Sequence, residues 1–70
     1  MKSIDLHGVR YKDVEPIVQK ACSELTAPFI IITGNSPDMK KEVSKACKIF
    51  GLSVRDVINN PGRVIVHEAS

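Results

Sequence analysis

Residues Phe29-Ile30-Ile31-Ile32 form an unbroken apolar run, closed by Pro28 before it and by Thr33-Gly34 after it. Four bulky residues without polar alternation, three of them β-branched, read as a strand central in a sheet or buried on both sides. Such a strand needs other elements around it, and the flanking segments supply them. Val14, Ile17, Val18, Ala21, Cys22 and Leu25 follow the i, i+3, i+4, i+7 spacing of one helix face. Pro16 lacks an N–H and belongs in a first turn. That predicts a helix starting near Lys12 or Asp13, with Asp13 as its cap, and ending at Leu25 or Thr26 ahead of Pro28. After the apolar run, Ser36-Pro37 reads as an N-cap followed by the first helical residue. Met39, Val43, Ala46, Cys47 and Phe50 continue at helical spacing, and Gly51 stops that helix in a left-handed cap.

The remaining segments read as strands. Ser3 to Leu6 is a short strand with Ile4 and Leu6 on one face and Asp5 and His7 on the other, broken by Gly8. Leu52–Ile58 and Arg63–Glu68 are the arms of a hairpin around the turn-forming sequence Asn59-Asn60-Pro61-Gly62. The order is βαβαββ. We expect an α/β fold, a two-layer α+β sandwich with both helices on one face of a four-stranded mixed sheet. Its 70 residues make one domain, residues 1–70, with a single modest core. A short internal repeat supports two equal βα units: Lys20-Ala21-Cys22 recurs as Lys45-Ala46-Cys47, 25 positions on.

Ten Lys and Arg against eight Asp and Glu leave a net charge of +2, which permits a nucleic-acid partner without demanding one. No apolar run reaches the roughly 18 residues of a membrane span, and Met1-Lys2-Ser3-Ile4-Asp5 lacks the apolar stretch of a signal peptide. A cytoplasmic protein is the expectation. Two cysteines are too few for a disulfide scaffold and lack metal-site spacing. Cys22 and Cys47, on apolar helix faces, read as buried free thiols.

The two βα turns are where chemistry gathers. Parallel neighbouring strands joined by a right-handed crossover bring Asp5-Leu6-His7-Gly8 and Thr33-Gly34-Asn35-Ser36 to one sheet edge, where open α/β sheets hold ligands. The second turn opens a helix whose free N–H groups and positive end suit a phosphate. Gly34 lets backbone approach a ligand, and Thr33, Asn35 and Ser36 carry groups that can meet phosphate oxygens; the same residues also suffice merely to turn and cap the chain. Asp5 and His7 can orient water, bind a divalent ion or serve as general base and acid, or simply pair locally at the strand end. Arg10, Lys12 and Arg63 are candidates for phosphate-backbone contact. The stripe Lys41, Lys45, Lys48, with Lys40 beside it, reads as a solvated face or as a salt-sensitive contact. Tyr11 either stacks on a base or fastens the helix start. His67 reads as an ordinary strand histidine.

Ile4-Asp5-Leu6-His7-Gly8 resembles the L-D-x-H-G signature that opens Smr (small MutS-related) domains. Thr33-Gly34 resembles the T-G-x-G signature of the same family, with Asn35 at its variable position and Ser36 in place of its second glycine. The resemblance extends over about residues 3–68 and suggests a compact stand-alone form like those of bacteriophages. It implies the fold of the C-terminal domain of translation initiation factor three, binding of DNA or RNA, and in many members endonuclease activity. It places the family's acidic and histidine positions on Asp5 and His7 and its Thr-Gly pair on Thr33 and Gly34. We expect Asp5 and His7 as catalytic residues, and nucleic-acid or phosphate binding by Gly8, Arg10, Thr33, Gly34, Asn35 and Ser36. Mg²⁺ or Mn²⁺ is the cofactor such chemistry would call for. Asn35 and Ser36 remove a cation and a flexible backbone position, which makes a binding module without catalysis the alternative. The sheet face away from the helices, with Asp5, His7, part of Ile30–Ile32 and Ile65, suggests a homodimer or protein-partner surface.

Overall fold

The computed structural model describes residues 1–69. Six elements follow in the expected order: β1 (Ser3–Asp5), α1 (Tyr11–Glu24), β2 (Phe29–Ile32), α2 (Pro37–Lys48), β3 (Leu52–Val57) and β4 (Asn60–Glu68). They form a four-stranded mixed sheet of order β1-β2-β4-β3, with two helices packed on it as a two-layer sandwich. β1 and β2 pair in parallel, while β4 runs antiparallel to both β2 and β3. Three strands therefore share one direction, and β4 is inserted against it between the last two.

The apolar run becomes β2, an interior strand paired on both edges, but only alternate residues reach the core. Phe29 and Ile31 are buried, while Ile30 and Ile32 are half-buried on the other face. The register fixes which neighbours share each face. Phe29 pairs with Val66 and Ile31 with Val64, and all four are buried. Ile30 pairs with Ile65 and Ile32 with Arg63 on the open face.

The helices close the inner face. Val14, Val18 and Ala21 of α1 and Met39, Val43, Ala46 and Cys47 of α2 complete the core with Leu6. The repeat of 25 residues has a physical meaning here. Val14 and Met39, Val18 and Val43, and Ala21 and Ala46 occupy equivalent buried positions 25 residues apart on two adjoining helices. Each βα unit presents the same stripe to the same core.

Several expected boundaries differ. β1 ends at Asp5, so His7 lies in the following turn rather than on the strand face that carries Asp5. α1 starts at Tyr11 with Arg10 at the N-cap and no side-chain cap bond; Asp13 lies in the first turn, and Pro16 lies one turn deeper than expected. The helix ends at Glu24, where the Leu25 N–H still bonds the Ala21 carbonyl at 2.8 Å. α2 matches its local signals, with Ser36 capping, Pro37 first and Gly51 at φ 71° behind it. Phe50 falls beyond that helix and is exposed rather than part of its buried stripe.

The hairpin differs most. Its reversal is at Ile58-Asn59, where Asn59 adopts φ 63°, and Asn60-Pro61-Gly62 belong to β4. Asp56 faces Val64 but Val57 faces Asn60, so Pro61, Gly62 and Arg63 have no partner on β3. This bulge lets the start of β4 serve β2 instead, with Arg63 opposite Ile32.

The two faces of β2 predict a sharp asymmetry. Ile31→Ala should cost about 2–5 kcal/mol in urea unfolding, because a fully buried side chain leaves a cavity. Ile30→Ala should cost less than half as much as Ile31→Ala, because its side chain already meets solvent. Equal losses would contradict the assignment of faces.

Candidate functional site

β1 and β2 end side by side, and a continuous set of backbone hydrogen bonds carries the pairing into both turns. The Leu6 N–H donates to the Ile32 carbonyl at 2.9 Å. Leu6 is buried, so it anchors the start of the first turn by packing as well. The Val9 N–H then bonds the Leu6 carbonyl at 3.0 Å, and Gly8 sits at φ 79°. That is the third position of a four-residue turn of the kind that needs a left-handed residue. Asp5 stabilises it, since its Oδ1 accepts the His7 backbone N–H at 2.8 Å.

The second turn is clamped from β4. The N–H groups of Thr33 and Gly34 both donate to the Gly62 carbonyl, at 2.9 and 3.0 Å. Gly34 is left-handed at φ 68°. Thr33 is buried; its hydroxyl donates to the Gly34 carbonyl at 2.8 Å and lies 3.4 Å from that of Gly62. Its side chain is thus built into the turn and does not project toward a ligand. Ser36 is similarly engaged, with Oγ accepting the Met39 N–H at 3.2 Å as an N-cap.

Tyr11 ties the two turns together. Its hydroxyl lies 3.1 Å from Ser36 Oγ, joining the first residue of α1 to the cap of α2 across 25 residues of sequence. The hydroxyl thus links the two units rather than fastening α1 locally, and the ring stays half exposed. The exposed groups gathered at this edge are the Asp5 carboxylate, His7, Gly8, Arg10, Gly34 and Asn35. Arg63 borders it on the open face, in the row Asp5–Ile32–Arg63 set by the strand register. Asp38 is the acidic residue in the first turn of α2 and opposes an anion there.

Most turn residues at this edge lie at the surface. One concavity of about 390 Å³ is lined by Lys40, Lys41, Ser44 and Asp56. Another of about 390 Å³ on the open face is lined by Met1, Arg55, Ile65 and His67. The turn residues Asp5, His7, Gly8 and Asn35 line neither. Among the described residues no three His, Cys, Asp or Glu side chains gather as a metal cage. Asp5 still has one carboxylate oxygen free, which suits an ion shared with phosphate and water.

Other basic residues are placed apart. Lys40 is held 3.1 Å from Asp56 on β3, while Lys41, Lys45 and Lys48 are exposed on α2. Cys22 and Cys47 are free thiols, Cys47 buried and Cys22 half-buried. Burial pushes the Cys47 thiol up to about 12, with the nearby Cys22 adding to the rise. No helix is long and apolar enough to cross a membrane among the described residues.

Sequence reading misses Gly62, whose carbonyl organises the second turn; Asn-Asn-Pro-Gly gives a strong turn signal and no sign of this use. Comparisons with protein-family models, curated proteins and solved structures found no match for this chain.

The Tyr11–Ser36 link is open to a double-mutant cycle. Ser36→Ala should cost about 1 kcal/mol through the lost cap. Tyr11→Phe should cost about 0.5 kcal/mol, at the low end for a net hydrogen bond because the ring is half exposed. The double variant should lose less than the sum. Strict additivity in chemical denaturation would mean that the hydroxyl pair contributes nothing.

Proposed function

We propose that this chain is a nucleic-acid-binding domain of the Smr kind, with the paired βα turns as its contact edge. One observation carries the reading. Both turns are held by hydrogen bonds at the same sheet edge and joined by Tyr11 and Ser36, with Arg10 and Arg63 beside them. At the N-terminal end of α2, Pro37 has no N–H and the Met39 and Lys40 amides bond Ser36, so the Asp38 amide is the one left for a phosphate oxygen, while Thr33 and Ser36 hold the shape of the turn. An exposed edge suits contact with an extended polyanion.

The expected behaviour is binding of labelled DNA or RNA that weakens steeply with salt. Arg10→Ala and Arg63→Ala should each weaken binding across sequences and lower the slope of log K against log salt by about one. Binding insensitive to salt, or no binding to either nucleic acid, would overturn this reading. Self-association in its place would point to the open sheet face.

A second reading, endonuclease activity, draws on the exposed Asp5 and His7 in one short turn. The free oxygen of Asp5 would orient water or hold Mg²⁺ or Mn²⁺, and the His7 imidazole would accept or return a proton at the scissile phosphate. A divalent ion, when bound, supplies a Lewis acid for phosphate. Cleavage of supercoiled plasmid or structured RNA by wild type, lost in a folded Asp5→Ala, His7→Ala double variant with binding retained, is the expected result. No cleavage with intact binding leaves a binding module.

A further inference from the structure

The helix pair carries a second side-chain contact at its other end. Cys22 Sγ of α1 and Cys47 Sγ of α2 lie 3.8 Å apart, again across 25 residues of sequence. Tyr11 and Ser36 join the starts of the helices; the two thiols meet near their ends. Ala21 and Ala46, beside them in the chain, are small and buried, so the helices approach closely there. Both sulfurs are reduced, and no step of the proposed nucleic-acid chemistry uses them.

We propose that Cys22 and Cys47 are a dithiol modification site that a small-molecule disulfide closes into an intramolecular bridge between the helices. A disulfide places its sulfurs about 2.05 Å apart, so from 3.8 Å each side chain has to move by less than about 1 Å. Cys22 is half-buried and is the sulfur that solvent reaches; Cys47 is fully buried. The sequence of bonds follows from that difference. The Cys22 thiolate attacks one sulfur of the incoming disulfide and expels one thiolate, leaving a mixed disulfide on Cys22. Cys47, as thiolate, attacks Cys22 Sγ and expels the second. Two cysteine thiols are oxidised, one small disulfide is reduced to two thiols, and the two protons lost by the cysteines end on those thiols. Desolvation opposes ionisation of both thiols, so closure is slow at neutral pH and faster in mild alkali.

The test uses the full chain, reduced, desalted and incubated without denaturant in oxidised glutathione at about pH 8.5, near the ordinary cysteine pKa. The expected product is a monomer about 2 Da lighter, with a Cys22–Cys47 cross-linked peptide that dithiothreitol removes. Its Tm should rise on the order of 10 °C, because the bridge closes a loop containing β2. Cys47→Ala should instead hold a stable glutathione adduct on Cys22, and Cys22→Ala should stay unmodified while folded. Three outcomes for wild type would overturn the proposal: a persistent adduct on Cys22, disulfide-linked dimers, or closure only in denaturant.

Discussion

Phe29 and Ile31 project from one face of β2 into the space that α1, α2 and β4 share, and every other placement is tied to that contact. With β2 paired to β1 on one edge and β4 on the other, its inner face is the floor of the core. The two helices meet that floor through equivalent residues, Val18 beside Val43 in the repeat and Ala21 beside Ala46. A small domain has little surplus burial to lose. Shifting either helix by a single residue would rotate its buried stripe by about 100° and remove several of these side chains from the core at once.

The polar contacts of the turns are secondary to that packing and depend on it. Once β1 and β2 end in register, Leu6 can bond Ile32, and Asp5 can take the His7 amide. Once β4 lies against β2, the Gly62 carbonyl reaches the amides of Thr33 and Gly34. The exposed groups at the edge are therefore held by a frame that uses few of their own side chains. Asp5, Thr33 and Ser36 are exceptions: each commits at least one side-chain atom to building its turn. Their contribution to any ligand contact is mainly through the backbone shape they impose, except for the second oxygen of Asp5.

What was readable in the sequence is what local chemistry determines. Ser36-Pro37 and Gly51 bracket α2 because caps and stops act within one turn. The run Phe29–Ile32 marks an interior strand, although its composition gives no sign that Ile30 and Ile32 lie on an uncovered face. The convergence of the two turns follows from the parallel pairing of β1 and β2. The misreadings have non-local causes. Asn60, Pro61 and Gly62 carry turn chemistry, yet β4 must engage β2 as well as β3, and the reversal moves to Ile58-Asn59. Pro16 sits deeper in α1 than propensity favours, because the helix begins early enough for Tyr11 to reach Ser36. His7 is the local exception, leaving the strand as its amide turns back to Asp5 two residues before it. Thr33 is buried through contacts with a segment 29 residues away.

The parallel pairing of β1 and β2 also fixes an electrostatic arrangement. α1 and α2 run the same way, so their positive ends lie side by side, one at Tyr11 and the other at Pro37. Aligned dipoles repel at such an edge. Asp13 and Asp38, one in each first turn and 25 residues apart, partly offset that repulsion. An anion docked between the helix starts would offset it further, against the local repulsion of those two carboxylates, and one that binds there favours the folded chain over the unfolded one. Resistance to heat thereby becomes a gauge of how fully this edge is occupied, even for a ligand whose chemistry goes no further than binding.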